Sequence, residues 1–268
     1  MTLESILTEA AKIAKRTVLE NLDEVTKKTG TINPFGDQTL LLDKLTEDNI
    51  IEHLQNSEIS FAFFTEEQGV ILPEKKPEYI AVIDPIDGST NLERGIPLVS
   101  VGISAVPYSE MATTDDVEIS IIDSFFTEEE YLAISGKGVT RNGRQVSPTR
   151  VTDASKTIIS YDTKRDLNGK FGDRSLNLMR GVHDIRRTGS NLLDLCWTAS
   201  GALDAMIDLR GLLPLVHISG THMVFEAGGY VCNQEGKRFR LEMNIKNRMS
   251  FVAAGTQSLG EELVSRFK

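Results

Sequence analysis

The chain has 268 residues, a formal net charge of −10 and a hydrophobic fraction of 40%. That length can bury one large core or two modest ones sharing an interface, and the acidic balance excludes nucleic acid or an anionic membrane as a main partner. Its two cysteines, Cys196 and Cys232, lie far apart in apolar surroundings and do not read as a disulfide framework or a CxxC site. Reduced thiols, the absence of a signal-peptide pattern after Met1 and the absence of a bilayer-length apolar run together predict a cytoplasmic protein.

Apolar residues from Leu3 to Leu19 recur at helical spacing behind Thr2, a candidate N-cap. Gly30, Asn33, Pro34 and Gly36 mark a loop, and 43–54 reads as a second helix with Leu45, Ile50, Ile51 and Leu54 on its buried face. Short apolar runs at 60–64, 79–83, 99–106, 117–123 and 130–134 predict strands, with a tight turn at Asn142–Gly143, so the first half reads as two helices and a mainly antiparallel sheet. The small polar residues around Pro148, from Ser147 to Ser155, mark the expected boundary between subdomains 1–147 and 148–268. Beyond it, 157–161 and 205–209 read as strands and 174–180, 192–200 and 218–227 as helices, the last stopped by Gly228 and Gly229. The expected fold class is α/β (α+β) in alternating layers.

The sharpest punctuation is Asp84-Pro85-Ile86-Asp87-Gly88-Ser89-Thr90-Asn91 at the end of a predicted strand. Two carboxylates turned towards one point neutralise by taking up protons unless a hard cation sits between them. Gly88 admits a ligand close to the backbone, and the amides that follow form an anion site if a helix starts there. A phosphate held by those amides and shared with bound cations is the arrangement that hydrolysis of a phosphate ester needs. Glu66, at the end of an earlier strand, is placed to complete it. Asp-Pro and Asp-Gly are also ordinary turn formers, and Glu66 with Glu67 could be solvated charges, but the whole run is hard to explain as a turn alone.

Thr65-Glu66-Glu67, the Asp84–Asn91 run and Glu226-Ala-Gly-Gly229 resemble the inositol monophosphatase family over nearly the whole chain. The stretch from Gly201 through Asp208 to Arg210-Gly211 is closer to its archaeal branch, which includes fructose-1,6-bisphosphatase/inositol monophosphatase enzymes of dual specificity. The resemblance implies the layered α-β-α-β-α sandwich of the sugar phosphatases and a homodimer inhibited by lithium. It further implies that Glu66, Asp84 and the Ile86 carbonyl hold one Mg²⁺, and that Asp84 and Asp87 hold a second. Glu66 and the Ser89 hydroxyl would orient and deprotonate the attacking water, with Asp43, after Asp37, supporting the water network. The amides of Gly88, Ser89 and Thr90 would bind phosphate. Asp87, the backbone of Gly189 and Ser190, and Arg210 would face the substrate, Arg210 being able to pair with a second phosphate. For Arg186, Arg187 and Arg210 the alternative is plain surface solvation.

One departure stands out. Where the family supplies a further aspartate to the second metal, before the helix leading into Glu-Ala-Gly-Gly, this chain reads Val216-His217, and imidazole is a poorer Mg²⁺ ligand than carboxylate. His217 either coordinates a softer ion such as Mn²⁺ or Zn²⁺, or marks a weakened second metal site, or accompanies a loss of catalysis. The remaining histidines, His53, His183 and His222, read as surface or helix-packing residues, and Trp197 as buried. The leading expectation is a metal-dependent phosphatase of inositol monophosphate, fructose 1,6-bisphosphate or a related small polyol phosphate. The alternatives are a 3′-phosphoadenosine nucleotide phosphatase and a catalytically weakened scaffold protein.

Overall fold

The structure is a computed structural model, and it describes residues 1–36, 38–163 and 169–268. Thr2 caps helix α1 (Leu3–Glu20), its Oγ1 accepting from the Ser5 amide at 3.2 Å. Instead of a plain loop, a hairpin of β1 (Lys28–Ile32) and β2 (Gln38–Leu40) follows, with Asn33, Pro34 and Gly36 at its tip. Asp37 lies outside the described residues. Helix α2 (Leu41–Gln55) then leads into β3 (Phe61–Thr65), β4 (Gly69–Ile71) and β5 (Tyr79–Asp87). A short helix α3 (Ser89–Glu93) precedes β6 (Ser100–Pro107), β7 (Ile119–Ser124), β8 (Glu130–Ile134), β9 (Gly138–Arg141) and β10 (Arg144–Val146). Asn142 and Gly143 join the last two, both at positive φ (50° and 74°), as a two-residue turn matched to strand twist requires.

Among the described residues, strands β3–β10 form one eight-stranded sheet in the order β10-β9-β8-β7-β6-β5-β3-β4, with β3 and β5 parallel and every other pair antiparallel. Its central strands β5, β6 and β7 are buried at nearly every position because both faces are covered, each face taking alternate residues. Phe61, Phe63, Ala81 and Ile83 pack with Ile6, Leu7, Ala10 and Ala14 of α1 and Leu42, Ile50 and Leu54 of α2. Ala62, Ile80, Val82 and Ile122 turn the other way, into a cluster supplied largely by the second half of the chain.

That half comprises β11 (Ile158–Tyr161), α4 (Gly169–Arg180), β12 (Asp184–Arg186), α5 (Asn191–Ala199), β13 (Ala205–Pro214), α6 (Ile218–Glu226), β14 (Tyr230–Cys232), β15 (Arg248–Ala254) and α7 (Gln257–Arg266). Its sheet, β12-β11-β13-β15-β14, mixes parallel and antiparallel pairs. Helices α5 and α6 lie between the two sheets, where Leu192, Leu195, Cys196, Ile218, Met223 and Val224 meet Met206, Phe251 and Ala253. Leu178 of α4 and Leu259 and Leu263 of α7 cover the outer face of the smaller sheet. The layers therefore run α-β-α-β-α. Trp197 is half-buried, not buried, and its indole N–H donates to the buried Glu129 at 3.0 Å. No helix among the described residues is long and apolar enough to cross a membrane.

Candidate metal and phosphate site

The parallel pairing of β3 with β5 places Thr65 beside Ile83, so Glu66 and Asp84 leave adjacent strands at the same level. Pro85 and the shift in register against β6 between Asp84 and Asp87 let the chain double back, returning Asp87 to that point. Gly88 then takes φ +100°, where a side chain would be strained and a Cβ would sit 2.9 Å from the Leu98 carbonyl oxygen. Helix α3 begins at the next residue, and its first-turn amides have no partner within the helix. Asn91 fixes this turn against the second half of the chain, its Nδ2 donating to the carbonyls of Leu98 at 2.7 Å and Thr188 at 2.9 Å.

The two aspartates have opposite surroundings. Asp87 accepts three hydrogen bonds, from Ser190 Oγ (2.5 Å), the Leu192 amide (2.7 Å) and the Asn191 amide (3.2 Å), all at the N-terminus of α5. Both oxygens of Asp84 are buried with no donor. Burial, followed by the charges of Glu66 and Asp87, holds the Asp84 carboxyl well above the usual range. Burial likewise pushes Glu66 up to about 7, although His217 opposes it. Glu66 and Asp84 touch carboxyl to carboxyl, a contact that is a hydrogen bond only while one of them keeps a proton.

His217 enters from the turn before α6. Its Nε2 lies 3.3 Å from Asp84 Oδ2 and 3.6 Å from Asp87 Oδ1. Ligands held at about 2.1 Å and at right angles on one cation lie roughly 3 Å apart, so these three atoms fit a single ion. Among the described residues they are the three side chains whose donor atoms converge in this way. Burial alone would lower the His217 pKa, but the bond to Asp87 and the charges of Asp87 and Glu66 raise it instead. Val216, the other candidate for this position, is fully buried in the core between the sheets. The Asp84 oxygens without a donor, the crowding of Glu66 against Asp84 and the convergent imidazole make a donor set that suits a divalent cation.

Around this centre, Ser89 Oγ lies 3.0 Å from the Ile86 carbonyl and 3.3 Å from Asp43 Oδ1, and donates its one proton to one of them. Burial, then the charges of Glu67 and Glu66, raises the Asp43 carboxyl well above its usual value. Asp43, Glu66, Asp84, Asp87, Gly88, Ser89, Thr90, Gly189 and His217 line one cleft. Gly189 sits at φ +87° against Asn91, where a Cβ would meet its Oδ1 at 2.8 Å.

Two of the expected substrate contacts have side chains engaged within the protein. Ser190 is fully buried, and its hydroxyl serves Asp87 and caps α5 by accepting from the Leu193 amide at 3.3 Å, which leaves the loop backbone as the part of Ser190 for a substrate to meet. Arg210 lines an adjoining cavity, but its guanidinium is held by Asp208, with Nε to Oδ1 at 2.9 Å, and by Asp162 at 2.8 Å. Two buried carboxylates thus use the fork that a second phosphate would need. The more open cations of that cavity are Arg187, with its side chain 37% exposed beside Asp162, and Arg248, stacked 4.6 Å over Phe35. Arg186 is exposed and paired with Asp184.

Sequence reasoning passed over Glu47, whose Oε2 accepts from the Glu67 amide at 2.9 Å and so fixes the strand end carrying Glu66. It also passed over the clamp made by Asn91, and Asp194 beneath Asp87, a buried carboxyl bonded by Ser160 Oγ at 2.6 Å. The single hint was the asparagine closing the Asp84–Asn91 run.

A family model described as the inositol monophosphatase family matches residues 2–268. The chain belongs to that family. It is 30% identical over 236 residues to the fructose-1,6-bisphosphatase/inositol-1-monophosphatase of Methanothermobacter thermautotrophicus, covering 85% of this chain and 83% of that protein. A solved structure of an inositol monophosphatase–fructose 1,6-bisphosphatase superposes with a TM-score of 0.85 at 26% identity, covering 99% and 100% of the two chains. An extragenic suppressor protein from Bartonella henselae shares the fold, with a TM-score of 0.84 at 24% identity over 99% and 98%.

Proposed function

We propose that this member of the family is a metal-dependent phosphomonoesterase of a small phosphorylated polyol or sugar, with the cleft beneath α3 as its active site. The observation that carries the reading is the pair of donorless Asp84 oxygens beside Glu66, Asp87 and His217 Nε2. Without a bound cation, a cleft lined by Asp43, Glu66, Glu67, Asp84, Asp87 and Glu93 against the lysine Lys28 would repel a phosphate monoester.

Glu66, Asp84, the Ile86 carbonyl, Asp87 and His217 would hold the ion or ions. A divalent cation there supplies charge neutralisation and polarisation of the phosphoryl group. The first-turn amides after Gly88, with Thr90, would bind phosphate oxygens. Glu66, beside the ion, would take the proton of the attacking water, and Ser89, within hydrogen-bond reach of Asp43 and Ile86, would orient that water. Gly189 and Arg187 flank the path towards the second cavity and would face the alcohol part of the substrate. Mg²⁺, homodimerisation, a cytoplasmic location and subdomains 1–147 and 148–268 belong to the same proposal. The subdomain division is supported by the sheets, the larger ending at Val146 and the smaller starting at Ile158.

His217 favours a second reading, an enzyme weak with Mg²⁺ and better served by a softer ion. Phosphate release from inositol 1-phosphate and fructose 1,6-bisphosphate, measured with Mg²⁺, Mn²⁺ and Zn²⁺ on the wild type and on His217→Asp, tests both. The substitution should raise Mg²⁺-dependent turnover if His217 occupies a ligand position. Absence of phosphate release from the wild type with every cation would overturn the phosphatase reading.

A further inference from the structure

The far end of α6 forms a second site with no part in the chemistry above. His222 lies one and a half turns beyond His217 and is 7% exposed. Its Nδ1 is 2.8 Å from Ser120 Oγ, itself 2.7 Å from Ser104 Oγ, so the ring is locked against the large sheet. The other nitrogen, Nε2, is buried with no partner and faces a cavity of about 260 Å³ that His222 and Glu226 both line. A buried ring nitrogen left without a partner carries a desolvation cost that a ligand can recover.

Glu226 Oε1 lies 3.9 Å from Nε2, too far for a hydrogen bond between them, while Oε2 accepts from the Gly136 amide at 2.9 Å. One small polar group placed between Nε2 and Oε1 reaches both. No cation pairs with Glu226 among the described residues, for Arg238, the basic residue of the cavity, is bonded to Asp115 at 3.0 Å and stacked 4.8 Å over Phe225. Thr114, Asp115, Ser135 and Thr221 add polar groups to the wall, whose apolar and aromatic surface includes Val231, Tyr230 and Phe239. Burial lowers the His222 pKa to about 4, so the ring is neutral at physiological pH and leaves Glu226 as the uncompensated charge.

We infer that this cavity is a binding site for a small organic amine, its ammonium bridging His222 Nε2 and Glu226 Oε1 and its apolar body lying against Val231, Tyr230 and Phe239. A primary ammonium has three donors and can serve two acceptors at once, and a ring-sized body fits the volume.

Benzylamine, benzyl alcohol and toluene titrated into the isotope-labelled full chain, followed by the amide resonances of Thr221, His222 and Val231, test the assignment. Benzylamine should bind saturably in the millimolar range or tighter, and benzyl alcohol more weakly. Glu226→Gln should weaken benzylamine by about tenfold and leave benzyl alcohol within about twofold. Ser135→Trp, a change at the exposed rim, should abolish binding of both without touching the core. The assignment is overturned if benzylamine produces no saturable shift, if toluene binds as well as benzylamine, or if Glu226→Gln binds it unchanged. Phosphatase activity, assayed separately, has no bearing on these outcomes.

Discussion

Ser190→Ala removes two interactions from one atom. The hydroxyl donates to Asp87 Oδ2 at 2.5 Å and accepts from the Leu193 amide at the start of α5. A hydrogen bond to a charged acceptor contributes about 1.5–3 kcal/mol, and loss of a serine cap costs about 1 kcal/mol. The expected loss is therefore about 3 kcal/mol, since the Asn191 and Leu192 amides still hold Asp87. At the roughly 2–4 °C per kcal/mol expected for a domain of this size, the midpoint falls by about 6–12 °C. Thermal unfolding by circular dichroism without added metal reads this directly. Ser190→Gly separates the two roles, because glycine caps a helix nearly as well and should lose only the Asp87 component. If Asp87 is a ligand, the half-saturating cation concentration should also rise about 10–100-fold in both variants, as for a lost outer partner of a metal ligand. A melting midpoint within about 2 °C of the wild type would refute the argument, because a buried bond to an anion cannot be that cheap to remove.

Buried carboxyls give a pH dependence whose sign is fixed. Burial pushes Glu47 and Asp194 up to about 7, so the native state holds protons that the unfolded chain has released. Their stabilisation is complete below the ordinary values of 4.5 and 3.8 and is lost as pH rises towards 7. Asp194→Asn should flatten the fall in melting temperature across that window, and an unchanged slope counts against it. Gly102→Ala would place a Cβ 2.4 Å from Leu192 Cδ1 and 2.7 Å from Ser219 Oγ, where β6 meets α5 and α6. We expect overpacking worth about 1–3 kcal/mol by urea titration, with the midpoint moving and the slope unchanged. Arg210→Met leaves Asp208, fully buried, without its main partner and should cost about 3–5 kcal/mol. Should stability hold while KM rises, Arg210 would return as a substrate contact.

Much of this architecture was legible because the large sheet is covered on both faces, so runs such as 79–83 stand out as unbroken apolar segments bounded by turn residues. Thr2, Asn142–Gly143 and the Asp84–Asn91 run announce themselves by local chemistry that needs no tertiary partner. The final strands and helix, from Tyr230 onward, drew no assignment, since β14 has only three residues and β15 is interrupted by Arg248 and Ser250. The β1–β2 hairpin was hidden by its polar, largely exposed strand. Within the site, the residues that converge through β3 and β5 could be read from strand ends. The commitment of Ser190 to Asp87 and of Arg210 to Asp208 and Asp162 could not, because side-chain partners chosen across the fold leave no periodic trace.

The grip of α5 on Asp87 has a temporal corollary. Ser190 follows Asp87 by 103 residues, and His217 comes later still. A nascent chain leaving the ribosome exposes its acidic run long before the amides that aim it have been synthesised. The polypeptide thus passes through most of its synthesis with the proposed ion site unassembled, and ion binding there would have to await the emergence of α5 and His217.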